Sequence, residues 1–286
     1  VKKPLLGFED EMSKHSDRTI LAAANALLPV FSFIILYEAT LAFTAQAFEW
    51  LSAGSDAVTI SLLDVSEADF KALGCGIGMA LSFLPFASMC GSAVRRAGYT
   101  AAGKDTDASG KDQHDPLQLQ RVILAMGTIC LSLGLNSLFS LTGFSKLMSS
   151  DTLNTGSVAL PVGIAVFGML TPFVEESMFR ILVYDRLTFE AGIGKRQAVL
   201  MGAAIFAVYH GSPAQALYAF IMSFVFFYVW TSERQPGTVC ALHASCNIFS
   251  LLLTSAGVYN LICTPVWCAC LLTIALICGV SLKPSF

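Results

Sequence analysis

An ionisable side chain placed in the middle of a membrane helix costs roughly 2.5–3.5 kcal/mol on insertion scales, so it is held there by a function or a partner. Six such residues stand inside long apolar runs of this chain: Glu38, Glu175, Glu176, Arg180, His210 and His243. Three of them fall in Thr171-Pro172-Phe173-Val174-Glu175-Glu176-Ser177-Met178-Phe179-Arg180. Neighbouring residues on a helix point about 100° apart, so the two glutamates do not easily share one role. Arg180 follows Glu176 by one helical turn, on the same face and in the favourable Glu-before-Arg order. The two can neutralise each other in low dielectric, where a guanidinium suits a carboxylate. Glu175 is left without a partner nearby in sequence. A lone carboxyl in apolar surroundings is the kind of group that serves as a general base near neutral pH. The competing reading of the motif is a buried polar network that only locks helix packing.

Two further spacings bear on the same chemistry. In Phe206-Ala207-Val208-Tyr209-His210, the phenyl ring and the imidazole share a helix face. In His243-Ala244-Ser245-Cys246-Asn247, the imidazole and the amide do the same, and their N–H groups could converge on one point. Two preorganised donors aimed at a developing oxyanion contribute several kcal/mol in a dry site. An interhelical hydrogen bond alone contributes only about 0.6 kcal/mol in membranes, less than the insertion cost. The three elements together predict a hydrolytic site. Glu175, aided by His210, deprotonates a water; His243 and Asn247 hold the oxyanion; Glu176 and Arg180 are supporting; Phe206 is a substrate-binding candidate. Ser177 and Cys246 are nucleophile types, but each neighbours a motif residue and is expected on a different helix face. Glu38 lies beside Tyr37 and is expected to be structural or interfacial. His15 and His114 fall in polar stretches and are expected to be solvated.

The elements that must position these groups are membrane helices. The chain is 55% hydrophobic and only 13% charged, with a mean hydropathy of +0.67. A soluble domain has about 25% charged residues, so most of this surface is expected to face lipid. A net charge of −3 gives no reason to expect nucleic acid as a partner. Eight apolar segments are legible: 20–44, 72–94, 122–141, 158–184, 198–210, 214–230, 238–256 and 259–282. The fifth is short and is broken from the sixth by Gly211-Ser212-Pro213, which would leave His210 at a helix end within the membrane. The expected fold is all-α, a polytopic membrane protein with about eight transmembrane helices. It forms a single membrane-embedded domain over 1–286, with a peptidase core at about 158–256.

Lys and Arg stay preferentially on the cytoplasmic side. With eight spans, one set of loops holds fourteen of the seventeen basic residues, the other holds Lys71 and Lys146, and Arg180 is intramembrane. Both termini are therefore expected in the cytoplasm. Lys2, Lys3 and Ala45-Gln46-Ala47 imitate a signal peptide only faintly, because the apolar run is too long and Glu38 interrupts it. Loop 95–121 reads as mobile and loop 48–70 as able to hold a short surface helix; neither is long enough for a further domain. The nine cysteines fall in apolar segments with no Cys-x-x-Cys pair, so free packing thiols are expected rather than disulfides or structural zinc.

Glu175-Glu176-x-x-x-Arg180, Phe206-x-x-x-His210 and His243-x-x-x-Asn247, in that order and about 30 residues apart, resemble the motifs of the CPBP intramembrane endopeptidases. This family is also called the Abi or CAAX-protease-like family. The resemblance covers roughly 158–250. It implies an eight-helix fold as in the eukaryotic CAAX endoprotease branch, and a glutamate-based mechanism without a cofactor. It puts Glu175 and His210 on the water, and His243 and Asn247 at the oxyanion. A zinc-dependent version is the alternative reading, because one carboxylate and two imidazoles can form a His₂Glu site. No His-Glu-x-x-His pair supports it. The expected partners are the lipid bilayer, that of a prokaryotic cell membrane, and a peptide or membrane-anchored protein substrate. A prenylated tail, a bacteriocin leader and another anchored peptide all remain open. The rival functions are a non-enzymatic accessory or immunity factor, and a proton-coupled transporter. The halves show no inverted sequence symmetry to favour transport.

Overall fold

Helix propagation over apolar runs and interruption at Gly and Pro account for most of the architecture. The computed structural model describes residues 5–53, 66–102, 116–147 and 155–281. Helices, short turns and bends account for the described residues, with no strand among them. The helices are α1 (Leu5–Ala53), α2 (Glu67–Phe83), α3 (Ala87–Ala102), α4 (Pro116–Leu141), α5 (Leu160–Glu190), α6 (Lys195–Tyr209), α7 (Pro213–Glu233), α8 (Pro236–Ser255) and α9 (Pro265–Ser281). A tight turn at Leu84–Phe86 joins α2 and α3 into one rod, and a single turn at Tyr259–Ile262 precedes α9.

Among the described residues six stretches are long and apolar enough to cross a membrane: Leu21–Ala47, Glu67–Gly98, Leu119–Leu141, Leu160–Glu190, Pro213–Glu233 and Pro236–Ser255. The chain is thus an all-α, polytopic membrane fold. Helices α6 and α9 match the remaining two expected segments, but at about 1.5 Å per residue they fall short of a ~30 Å core. Leu21, Ile35, Val208, Val266 and Val280 point outward, as lipid-facing side chains do. The Lys2-Lys3 pair, residues 54–65 of loop 48–70, and residues 103–115 of loop 95–121 with His114 lie outside the described residues. Ala45-Gln46-Ala47 lies inside α1, which continues to Ala53. All nine cysteines are free.

Local signals fix the ends that matter. Ser66 caps α2 by accepting from the Asp69 amide at 3.0 Å, and Asp69 accepts from the Ala159 amide at 2.7 Å, which ties the start of α2 to the start of α5. Gly211 takes φ +72°, a conformation open to glycine at little cost, and ends α6 just after His210. Ser212 then caps α7, with Pro213 in its first turn. Arg234, at φ 55°, closes α7, and Pro236 opens α8.

Helix α5 departs from a regular α-helix. Its turns widen to π geometry at Ile164–Leu170, Glu176–Val183 and Arg186–Glu190, leaving a short α segment, Thr171–Glu175, between the first two. Pro172 brings no amide donor and crowds the preceding turn, and the wide turn before it makes room for the ring. Such widened turns are frequent at functional sites. Close packing holds α5 against α8: a Cβ at Gly168 would meet Ile248 Cγ1 at 2.8 Å. The same device brings α6 against α7, where a Cβ at Gly202 would meet Phe227 Cζ at 2.5 Å. One apolar cluster draws on α1, α2, α3, α5, α6 and α7, and a second on α4, α7 and α8.

Candidate active site

The expected pairing of Glu176 with Arg180 is present. Oε2 and Nε are 3.2 Å apart, both side chains are fully buried, and the contact is an ion pair rather than a well-aligned hydrogen bond. Arg180 Nη2 donates to Ser223 Oγ at 2.8 Å. The guanidinium carbon lies 3.8 Å from the centre of the Phe206 ring, with Phe226 and Phe227 at 5.2 and 5.4 Å. Aromatic faces thus take the place of water around a cation that α5 holds in the protein interior. Phe206 is 2% exposed and its face is covered by Arg180, so it forms a platform for the ion pair and is absent from the cavity wall.

Glu175 has a different setting. It ends the short α segment and faces a cavity of about 500 Å³ whose lining includes Thr171, His210, His243, Cys246 and Asn247. His243 stands between the two glutamates. Its Nδ1 is 2.7 Å from Glu176 Oε1, and its Nε2 is 3.9 Å from Glu175 Oε2. The contact between Nδ1 and the Glu176 carboxyl leaves Nε2 turned to the cavity, beside Glu175. Phe226 stacks on the imidazole with ring centres 4.7 Å apart and fixes its plane. His243 therefore joins the carboxylates directly, a link between α5 and α8 that spacing within either helix could not reveal.

His210 sits at the C-terminal end of α6, as the short segment implied. Its Nδ1 donates to the Phe206 carbonyl at 2.8 Å, which leaves Nε2 as an acceptor in the neutral ring. The Phe206 ring meets it edge-on at 4.6 Å. Asn247 shares the cavity face with His243, yet one N–H of its Nδ2 is already donated to the Phe167 carbonyl at 2.9 Å. The two donors of α8 are thus each partly committed, and one amide hydrogen of Asn247 remains for a ligand.

Two expectations change. Cys246 was expected on another face, but it lies three residues after His243 and lines the cavity, because the i+3 and i+4 positions of a helix share a face. Ser177 is buried, and its carbonyl accepts from Cys90 Sγ at 3.4 Å. Glu38 is exposed on α1 and is not part of the cavity lining. The sequence reading also missed Ser132, Asn136 and Ser140, which recur every four residues along α4 and line the cavity. Three uncharged polar residues on one face of a spanning helix were the signal that could have found them.

Among the described residues no three His, Cys, Asp or Glu side chains are grouped so as to hold a metal ion. Glu175, His210 and His243 therefore do not form the His₂Glu arrangement that a zinc-dependent reading requires.

Every ionisable member of this cluster falls in one stretch of the chain. Residues 156–249 match the Rce1-like family, described as type II CAAX prenyl endopeptidase Rce1-like. The match and the buried Glu/His cluster assign this stretch to a peptide hydrolase. No curated protein and no solved structure matches the chain.

Proposed function

We propose that this chain is an intramembrane endopeptidase that hydrolyses a peptide bond with a water activated by Glu175. The observation that carries the reading is the unequal setting of the two glutamates. Glu176 is committed to Arg180 and His243, while Glu175 faces the cavity with His243 Nε2 beside it. In the proposed reaction Glu175 takes one proton from the water as its oxygen attacks the peptide carbonyl carbon. His210 Nε2 accepts a hydrogen bond from the same water and orients it. Negative charge gathers on the carbonyl oxygen, where His243 Nε2–H, in the imidazolium form, and the free amide hydrogen of Asn247 meet it. The carbon–nitrogen bond then breaks, and Glu175 returns the proton to the leaving amine. Glu176 and Arg180 support this array, Glu176 by holding His243 through Nδ1.

The reading includes eight crossings, with α6 and α9 spanning as short helices, and cytoplasmic termini. It takes the peptidase core as about 158–256 within a single domain. The family description makes a prenylated protein tail one candidate substrate, alongside other membrane-anchored peptides. The test is peptide cleavage by the purified chain. The parent is expected to cleave in the presence of a strong chelator, and Glu175→Ala to fold but not cleave. Cleavage that stops on chelation and returns with zinc would replace the proposal with the metal-dependent version. Biological function that survives Glu175→Ala in a folded chain would favour an accessory or immunity factor.

A further inference from the structure

The cavity has a direction. Its lining runs from Glu175 and His243 through Asn136, Tyr218 and Ser250 to Ser145 and Tyr259. These residues lie toward the Leu141 end of α4, the Pro213 end of α7 and the Ser255 end of α8. From His243 to Ser255 the climb is about 18 Å at 1.5 Å per residue. At the other end Arg180, Phe227 and Trp230 are fully buried and none lines the cavity, which makes that the closed end. The closed end carries the basic residues: Arg95, Arg96, Arg121, Lys195, Arg196 and Arg234 lie at the helix ends on that side. Among the basic residues of the described stretches, only Lys71 and Lys146 stand at the open end. Basic residues mark the cytosolic side of a membrane protein.

The wall also has a chemistry. Ser132, Asn136 and Ser140 form a stripe of hydroxyl and amide groups on α4, and Ser132 already shares a hydrogen bond with Tyr218 at 2.7 Å. Such groups exchange hydrogen bonds with the N–H and C=O of a peptide. A hydrocarbon chain in the same place would leave them unsatisfied. A volume of about 500 Å³ is within the ordinary range for a site that encloses a ligand.

We infer that the cavity opens to the non-cytosolic face of the membrane, and that its substrate is a peptide segment presented there, laid along the polar stripe of α4. The inference deepens the peptidase reading and rests on it for the word substrate. The side of opening rests only on the cavity and the basic residues.

Thiol labelling of the full chain decides the side. Asn260→Cys, at the exposed rim, and Lys195→Cys, exposed at the closed end, are each compared with the parent chain for reaction with a membrane-impermeant maleimide. In intact cells Asn260→Cys is expected to react, and Lys195→Cys only after permeabilisation. The reverse pattern overturns the inference. Vesicles holding the Asn260→Cys chain, sorted by which face that residue occupies, are then given an external quenched-fluorescent peptide library. Cleavage is expected only where residue 260 is outside, and cleavage from the Lys195 side alone overturns the inference. The expected labelling with no cleavage from either side upholds the opening but removes the peptidase reading, and the substrate with it.

Discussion

The two ends of the same polar seam between α5 and α8 behave unlike each other. At the closed end, Glu176 and Arg180 meet only protein: each other, His243, Ser223 and three phenyl rings. At the open end, Glu175 and His210 face a cavity, and their polar atoms are only partly engaged by the protein. Glu175 and Glu176 are adjacent in the chain, yet one carboxylate completes the structure and the other is available for work. The lesson is that charges buried in a membrane helix divide by whether their partners are all protein. A fully partnered charge is expensive to disturb because removing one partner strands the other. A partly partnered charge can be changed with little harm to the fold, and its loss shows in chemistry instead.

The sharpest way to break this contrast is to neutralise each glutamate in turn. Glu176→Gln leaves Arg180 buried without its counter-charge and is expected to destabilise the fold by about 3–5 kcal/mol. Glu175→Gln is expected to leave stability near that of the parent while abolishing cleavage. Thermal or denaturant unfolding in detergent ranks the two. Equal or reversed stability losses would mean the two ends are not different in kind.

Asn247→Ala probes the open end more gently. Loss of one oxyanion donor typically lowers kcat by about 10²–10³-fold. That range is the expectation here, with KM nearly unchanged, and single-turnover kinetics would check it. A large stability loss with unchanged kcat would assign Asn247 to its bond with the Phe167 carbonyl and remove it from the oxyanion.

How much of this contrast was legible in the sequence follows from what kind of spacing each feature has. Glu176 with Arg180, and the cavity face shared by His243 and Asn247, are spaced by one turn of a single helix, and helical period alone gave them. His210 at a helix end followed from Gly211 and the short segment before it. The bridge from His243 to both carboxylates was hidden because it joins helices 67 residues apart in the chain. The aromatic cage was hidden for the same reason, and Phe206 was read as a substrate contact because its partner on α5 could not be seen. The π turns of α5 also escaped the reading: Pro172 was visible, but the choice between a kink and a widened turn is made by packing. The count of eight helices came from hydropathy and charge, while among the described residues six stretches have the length and apolarity of full spans.

Phe206→Leu tests the cage at the closed end. A desolvated cation–π contact contributes up to about 2 kcal/mol, so a loss of that order is expected, with kcat and KM little altered. A raised KM with unchanged stability would return Phe206 to the substrate and move the boundary between the two ends.

The smallest expected effect belongs to the wall of the open end. Asn136 takes no part in the proposed chemistry, so Asn136→Leu should act through binding alone. A typical hydrogen bond contributes about 0.5–1.5 kcal/mol, so KM is expected to rise roughly 2- to 13-fold with kcat unchanged. Such a pattern arises when an interaction holds substrate and transition state equally. Gly127 and Gly134 already let α9 approach α4 closely on another face, where added Cβ atoms would meet Cys278 at 2.6 Å and Leu272 at 2.8 Å. A leucine on the cavity face leaves that packing in place. A fall in kcat without a change in KM would mean that Asn136 reaches the reacting atoms, and the wall would then belong with Glu175 as part of the chemistry.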